Sequence, residues 1–142
     1  MSPAEQVHRF WSLFQARRWA DAQALLNAQA CCLWPVTRER FVGPDAIIHV
    51  NAVYPEGWSI HLLALNALAD GRVHSLVRVD HGPASHYANS FFSLDANTLI
   101  TQIEEFWSDV QEPPAWRTAP GQPLPGWSRL PADVKPGLDL AP

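Results

Sequence analysis

The chain has 142 residues, 47% of them hydrophobic and 17% charged, with a formal charge of -4. That length suits one hydrophobic core, and that balance excludes a disordered polyelectrolyte. The acidic excess offers no basic surface for phosphate backbones, so a nucleic-acid partner is excluded.

The N-terminal stretch MSPAEQVHRF shows neither a charged leader with an apolar run nor a small-residue cleavage site, and no apolar run reaches membrane-spanning length. The expectation is a soluble cytoplasmic domain with no membrane partner. Cys31 and Cys32 are adjacent. Neighbours on an extended strand point to opposite faces, so they read as thiols in a reducing compartment rather than as a disulfide.

Ser2-Pro3-Ala4-Glu5 carries the signature of a capped helix start: a hydroxyl cap, proline at the first helical position and a glutamate at the third. Val7, Phe10, Trp11 and Phe14 then recur at helical spacing, so three aromatics share one stripe that must be buried against a broad surface such as a sheet. A second helix is predicted over 19–27, with Trp19, Ala22, Leu25 and Leu26 facing the same core. A strand is predicted over 30–36, ended or placed at an edge by Pro35. Gly43-Pro44-Asp45 opens a third helix with Ile47, Val50 and Tyr54 on one side.

From Trp58 the pattern turns to β. Four strands are predicted over 58–68, 72–81, 84–94 and 98–108, separated by Asp70-Gly71, His81-Gly82-Pro83 and Asp95-Ala96-Asn97. The run Leu62 to Leu68 fits strand or buried helix by composition, and the hairpin signal after it favours strand. Beyond Glu112 lie eight of the thirteen prolines, together with Trp116 and Trp127. The reading is a domain over 1–117 and a Pro-rich, extended arm over 118–142, lying on the domain or on a partner subunit.

The fold class expected is α+β: a curved antiparallel sheet packed by three N-terminal helices around an apolar pocket. This order, with Trp34-Pro35, Phe41 to Ile47, Arg78-Val79-Asp80, Ile103 to Asp109 and Pro113 to Arg117, resembles the nuclear transport factor 2-like superfamily, in particular its SnoaL-like branch. The likeness covers residues 5–117. It implies a cone-shaped fold, frequent homodimerisation through the sheet and a small-molecule pocket inside the cone. Because that fold hosts isomerases, hydrolases, dehydratases, cyclases and non-catalytic members, the function must be read from the site.

Ketosteroid isomerases place a carboxylate base and a tyrosine where this chain has Trp34 and Phe10. Neither can exchange the required proton. The chain also shows partial resemblance to limonene epoxide hydrolases, whose Asp-Arg-Asp group falls at positions similar to Asp80, Arg78 and Glu105. The resemblance implies acid/base work by Asp80 and Glu105 with Arg78 orienting both. Cys31 and Leu33 stand where that family positions its water, and Glu105 is one methylene longer than the aspartate. Arg78 and Asp80 equally fit a cross-strand ion pair on a solvated face, and Glu105 a rim or dimer-surface charge.

His61, His74, His81 and His86 lie on predicted strands or their ends. His61 and His86 are further pocket candidates, and Trp34, Trp58 and Trp107 are candidate walls for an apolar or aromatic ligand. No ligand spacing for a metal and no phosphate-loop or dinucleotide signature is present, so no cofactor is expected. The functional expectation is a cofactor-independent hydrolase, isomerase, lyase or cyclase. The alternatives are a non-catalytic binding module or a protein-interaction subunit.

Overall fold

The computed structural model describes residues 1–117, 124–131 and 137–140. Helix α1 runs Pro3–Gln15, and its capping box is formed: Ser2 Oγ accepts from the Glu5 amide at 3.1 Å while Glu5 Oε2 accepts from the Ser2 amide at 3.2 Å. Its stripe is buried as the spacing predicts. Phe10 packs on Phe14 at 4.2 Å and on Phe92 at 5.4 Å between ring centroids.

Helix α2 is only Trp19–Gln23, because strand β1 begins at Leu26 and ends at Trp34. The helix expected through residue 27 gives way to a long-range pairing: the Leu25 carbonyl accepts from the Ile100 amide at 2.9 Å. A ladder bond to a distant strand there outweighs local helix propensity. Strand β2, Glu39–Val42, was not foreseen. It is reached through a turn at which Arg38 takes φ 62°, a left-handed conformation without the usual glycine or asparagine. Since β2 pairs with β1, the proline ends β1 without making it an edge strand.

Helix α3, Pro44–Ala52, is followed by β3 Trp58–Ala67, β4 Val73–His81, β5 Ala84–Leu94 and β6 Ile100–Asp109, close to the predicted strands. The sheet order is β2-β1-β6-β5-β4-β3. The curved sheet is mixed rather than wholly antiparallel, because β1 and β6 pair in parallel. A parallel pair needs a long crossover, and here everything from β2 to β5 supplies it.

Strand alternation decides what can become a site. On β4, Val73, Ser75, Val77 and Val79 are buried toward the helices while His74, Leu76, Arg78 and Asp80 take the outer face. On β5, His86, Ala88, Ser90 and Phe92 lie on the inner side; on β6, Ile103, Glu105 and Trp107 do. Trp11 donates its indole N–H to the buried Ser75 hydroxyl at 3.0 Å, satisfying both groups while fastening α1 to β4.

The proline-rich arm expected over 118–142 falls partly outside the described residues. Within residues 137–140, Leu138 bridges Leu62 on edge strand β3, Leu140 is buried, and His8 Nε2 donates to the Asp139 carbonyl at 2.5 Å. Residues 137–140 thus contact β3 and α1 of the same chain. Among the described residues no helix is long and apolar enough to cross a membrane.

Candidate functional site

Between the inner sheet face and the helices lies a cavity of about 540 Å³. Its size is within the usual range for small-molecule pockets. Helix α1 contributes Trp11 and Phe14; the sheet contributes Trp34, Trp58, Ile60, Val79 and Trp107; α3 contributes Val50 and Asn51. Its polar groups are Thr37, Glu39, Asn51, Tyr54, His86, Ser108, Asp109 and Gln111. Five aromatic rings besides Tyr54 make its walls flat and apolar.

Glu105 organises two of these rings without lining the cavity. It is 5% exposed, and its Oε1 accepts from Trp107 Nε1 at 2.7 Å and from Trp34 Nε1 at 3.1 Å. Its Oε2 accepts from the fully buried Ser90 hydroxyl at 2.5 Å. Burial raises its carboxyl above the ordinary glutamate range, and the bonds from Ser90, Trp107 and Trp34 offset only part of that. The neighbouring Cys32 thiol is pushed up strongly by burial, with the charge of Glu105 adding to it, so it stays protonated and inert.

The expected Arg78, Asp80 and Glu105 group is not assembled. Alternation along β4 carries Arg78 and Asp80 to the outer face, opposite Glu105. There Arg78 Nε donates to Asp80 Oδ1 at 2.8 Å and its other nitrogens reach Ser85 and the Tyr87 hydroxyl. His61, expected in the pocket, lies on the same outer face with Nε2 at 3.1 Å from Asp80 Oδ2. Burial raises the Asp80 carboxyl, but hydrogen bonds from Ser85 and Arg78 and the nearby positive charges outweigh it and leave the value lowered. Arg78 borders an adjoining cleft of about 400 Å³ with Pro83, Ala84, Ser85 and Val110, which shares His86 and Asp109 with the cavity.

Of the expected ligand-binding residues, Trp34, Trp58, His86 and Trp107 line the cavity. Trp58 is fixed by Arg17, whose guanidinium stacks 3.3 Å from its ring centroid and donates to the Trp58 carbonyl at 2.6 Å. The Trp58 indole N–H is buried with no hydrogen-bond partner among the described residues.

Sequence reasoning missed Asp109 and the role of Tyr54. His86 and Asp109 are cross-strand partners of β5 and β6, and His86 Nδ1 lies 2.7 Å from Asp109 Oδ1. A carboxylate only accepts, so Nδ1 carries the proton of this bond. Tyr54 donates to His81 Nδ1 at 3.1 Å, while His81 Nε2 donates to the Glu56 carbonyl at 3.0 Å. The β5–β6 register was the available signal for Asp109. Tyr54, expected on one side of the third helix with Ile47 and Val50, lies beyond the end of α3 and shares the cavity lining with Val50. Among the described residues no group of three His, Cys, Asp or Glu side chains converges to hold a metal.

No family model matches the sequence, and no curated protein does. Solved structures do match in fold. A ketosteroid isomerase candidate from Kribbella flavida superposes with a TM-score of 0.77 at 24% identity, over 95% of this chain and 94% of that one. A nuclear transport factor 2-like protein of unknown function from Burkholderia xenovorans gives 0.70 at 16% identity, over 86% and 94%. SalBIII, an epoxide hydrolase/cyclase-like enzyme in pyran ring formation in the polyether salinomycin, gives 0.63 at 17%, over 75% and 90%. The chain has the nuclear transport factor 2-like fold, and its neighbours in that fold include isomerases and epoxide hydrolase/cyclase-like enzymes.

Proposed function

We propose that the protein binds an uncharged, apolar and largely planar small molecule in the cavity between sheet and helices. The observation carrying this reading is the aromatic wall of Trp11, Phe14, Trp34, Trp58 and Trp107 around about 540 Å³. Flat rings reward burial and stacking of another flat apolar body. The indoles of Trp34 and Trp107 are held by Glu105, so two of the walls are fixed before a ligand arrives.

Charge at the polar groups narrows the ligand. Glu39 and Asp109 line the cavity, and among the described residues lining it there is no lysine or arginine. An anionic ligand would meet like charge without a partner. The carboxylates expected to do acid/base work support no conversion in this cavity, since neither Asp80 nor Glu105 lines it. The reading therefore rests on binding, and any conversion in the cavity would fall to other groups that line it.

Calorimetric titration with 2-naphthol, a neutral planar probe, tests this. Saturable binding of one probe per chain is expected, weakened at least tenfold in Val50→Trp, which fills the space beside α3. Equal affinity in the folded variant would overturn the reading.

A further inference from the structure

Resting on that pocket reading, we infer that His86 and Asp109 form a proton-transfer pair at the cavity, acting on a conjugated, neutral carbon acid. The geometry is that of a base and its orienting group. The Nδ1–H of His86 is bonded to Asp109 at 2.7 Å, so in the neutral imidazole the lone pair falls on Nε2, which has no hydrogen-bond partner among the described residues. Both residues line the aromatic cavity. His86 is mostly covered, with 23% of its side chain exposed, while Asp109 is 72% exposed. The imidazole is thus the group a ligand touches, and Asp109 positions it and stabilises the imidazolium that forms.

The lining also selects the substrate. No lysine or arginine lines the cavity among the described residues, and Arg78 in the adjoining cleft is engaged by Asp80, Tyr87 and Ser85, so charge localised on one oxygen in the cavity would have no free cationic partner. A conjugate base that spreads its charge over a planar system does not need one, and the flat walls suit that shape. In the step, Nε2 takes a proton from carbon and the C–H electron pair enters the conjugated system. Return of that proton to another atom of the same system restores neutral His86. No oxidant, reductant or cofactor enters the balance.

The test uses 5-nitrobenzisoxazole, a planar neutral carbon acid. Removal of its ring C–H proton turns the C–H pair into a nitrile bond while the N–O bond breaks, releasing a coloured phenolate. Saturable turnover is expected for the full chain, with kcat falling about 100-fold in His86→Gln, the scale of a lost general base. In Asp109→Asn, kcat should fall about tenfold with KM little changed, a split that a merely structural role would not produce. Added imidazole should restore rate to His86→Gly. His74→Gln, on the outer face, should behave as wild type. If the protein binds 2-naphthol but opens the probe no faster than an equal concentration of free imidazole, or if folded His86→Gln retains full rate, the dyad is overturned and the pocket stands. If neither compound binds, the pocket reading fails and the dyad with it.

Discussion

Trp107 donates its indole N–H to Glu105 at 2.7 Å, two positions earlier on the same face of β6, and Trp34 on β1 donates to the same oxygen at 3.1 Å. One buried carboxylate thus sets the orientation of two walls of the cavity across the β1–β6 pair. Replacing it by leucine leaves two indole donors and the Ser90 hydroxyl unmet, costing about 2–5 kcal/mol by the penalty for buried unsatisfied groups. Glutamine keeps one oxygen for the indoles and turns its amide toward Ser90, so its cost should be small. Urea unfolding of both variants checks the order, and equal loss would show that the bonds contribute nothing.

The same carboxyl gives a pH signature. Its folded-state value is raised, so the folded protein holds this proton to higher pH than the unfolded chain does. Stability from this group is therefore full below the ordinary glutamate range and declines as pH rises through the raised value. Glu105→Gln should remove that decline, seen as a flatter dependence of the urea midpoint on pH.

Asp80 carries the opposite sign. Its value is lowered on balance, so its contribution is present above the ordinary aspartate range and is lost as pH falls through the folded-state value. Asp80→Asn should destabilise the protein at neutral pH and not in acid. Because Asp80 lies on the outer face, 2-naphthol affinity should be unchanged. Lost affinity in a folded Asp80→Asn variant would contradict that placement.

Much of the framework was legible because periodicity is a local property. The helical stripe of α1, the alternation of β4 and the Asp70-Gly71 turn, with Gly71 at φ 90°, were all written in neighbouring residues. What escaped depended on distant partners. The shortened α2 follows from the Leu25–Ile100 bond, β2 from a left-handed Arg38, and the parallel β1–β6 pair from chain topology. For the site, alternation already separated Asp80 from the buried positions of its strand. The relation between that face and Glu105 required the register across β5. His86 was readable as a pocket residue, whereas its pairing with Asp109 needed the whole β5–β6 ladder.

Ligand charge offers a further check. Glu39 and Asp109 at the cavity should make 2-naphthoate bind at least tenfold more weakly than 2-naphthol in parallel calorimetric titrations. Tighter binding of the carboxylate would mean that a cationic group reaches the ligand.

Residues 137–140 yield a separate test. A Cβ on Gly137 would sit 2.6 Å from the Leu62 carbonyl oxygen, and the Leu138 amide donates to that same oxygen. Backbone cannot yield as a side chain tip can, so Gly137→Ala should release the segment from β3. Hydrogen exchange should then quicken at the Leu138 amide while β5 amides keep their protection. Unchanged exchange at Leu138 would show that the contact does not depend on the missing side chain.

The cavity itself is most directly tested by the indole N–H resonances of the seven tryptophans in a heteronuclear spectrum, followed as 2-naphthol is added. Trp11, Trp34, Trp58 and Trp107 should shift together and saturate, while Trp116, 65% exposed, and Trp127 stay in place. Shifts confined to Trp116 and Trp127, or none that saturate, would contradict a ligand site between the sheet and the helices.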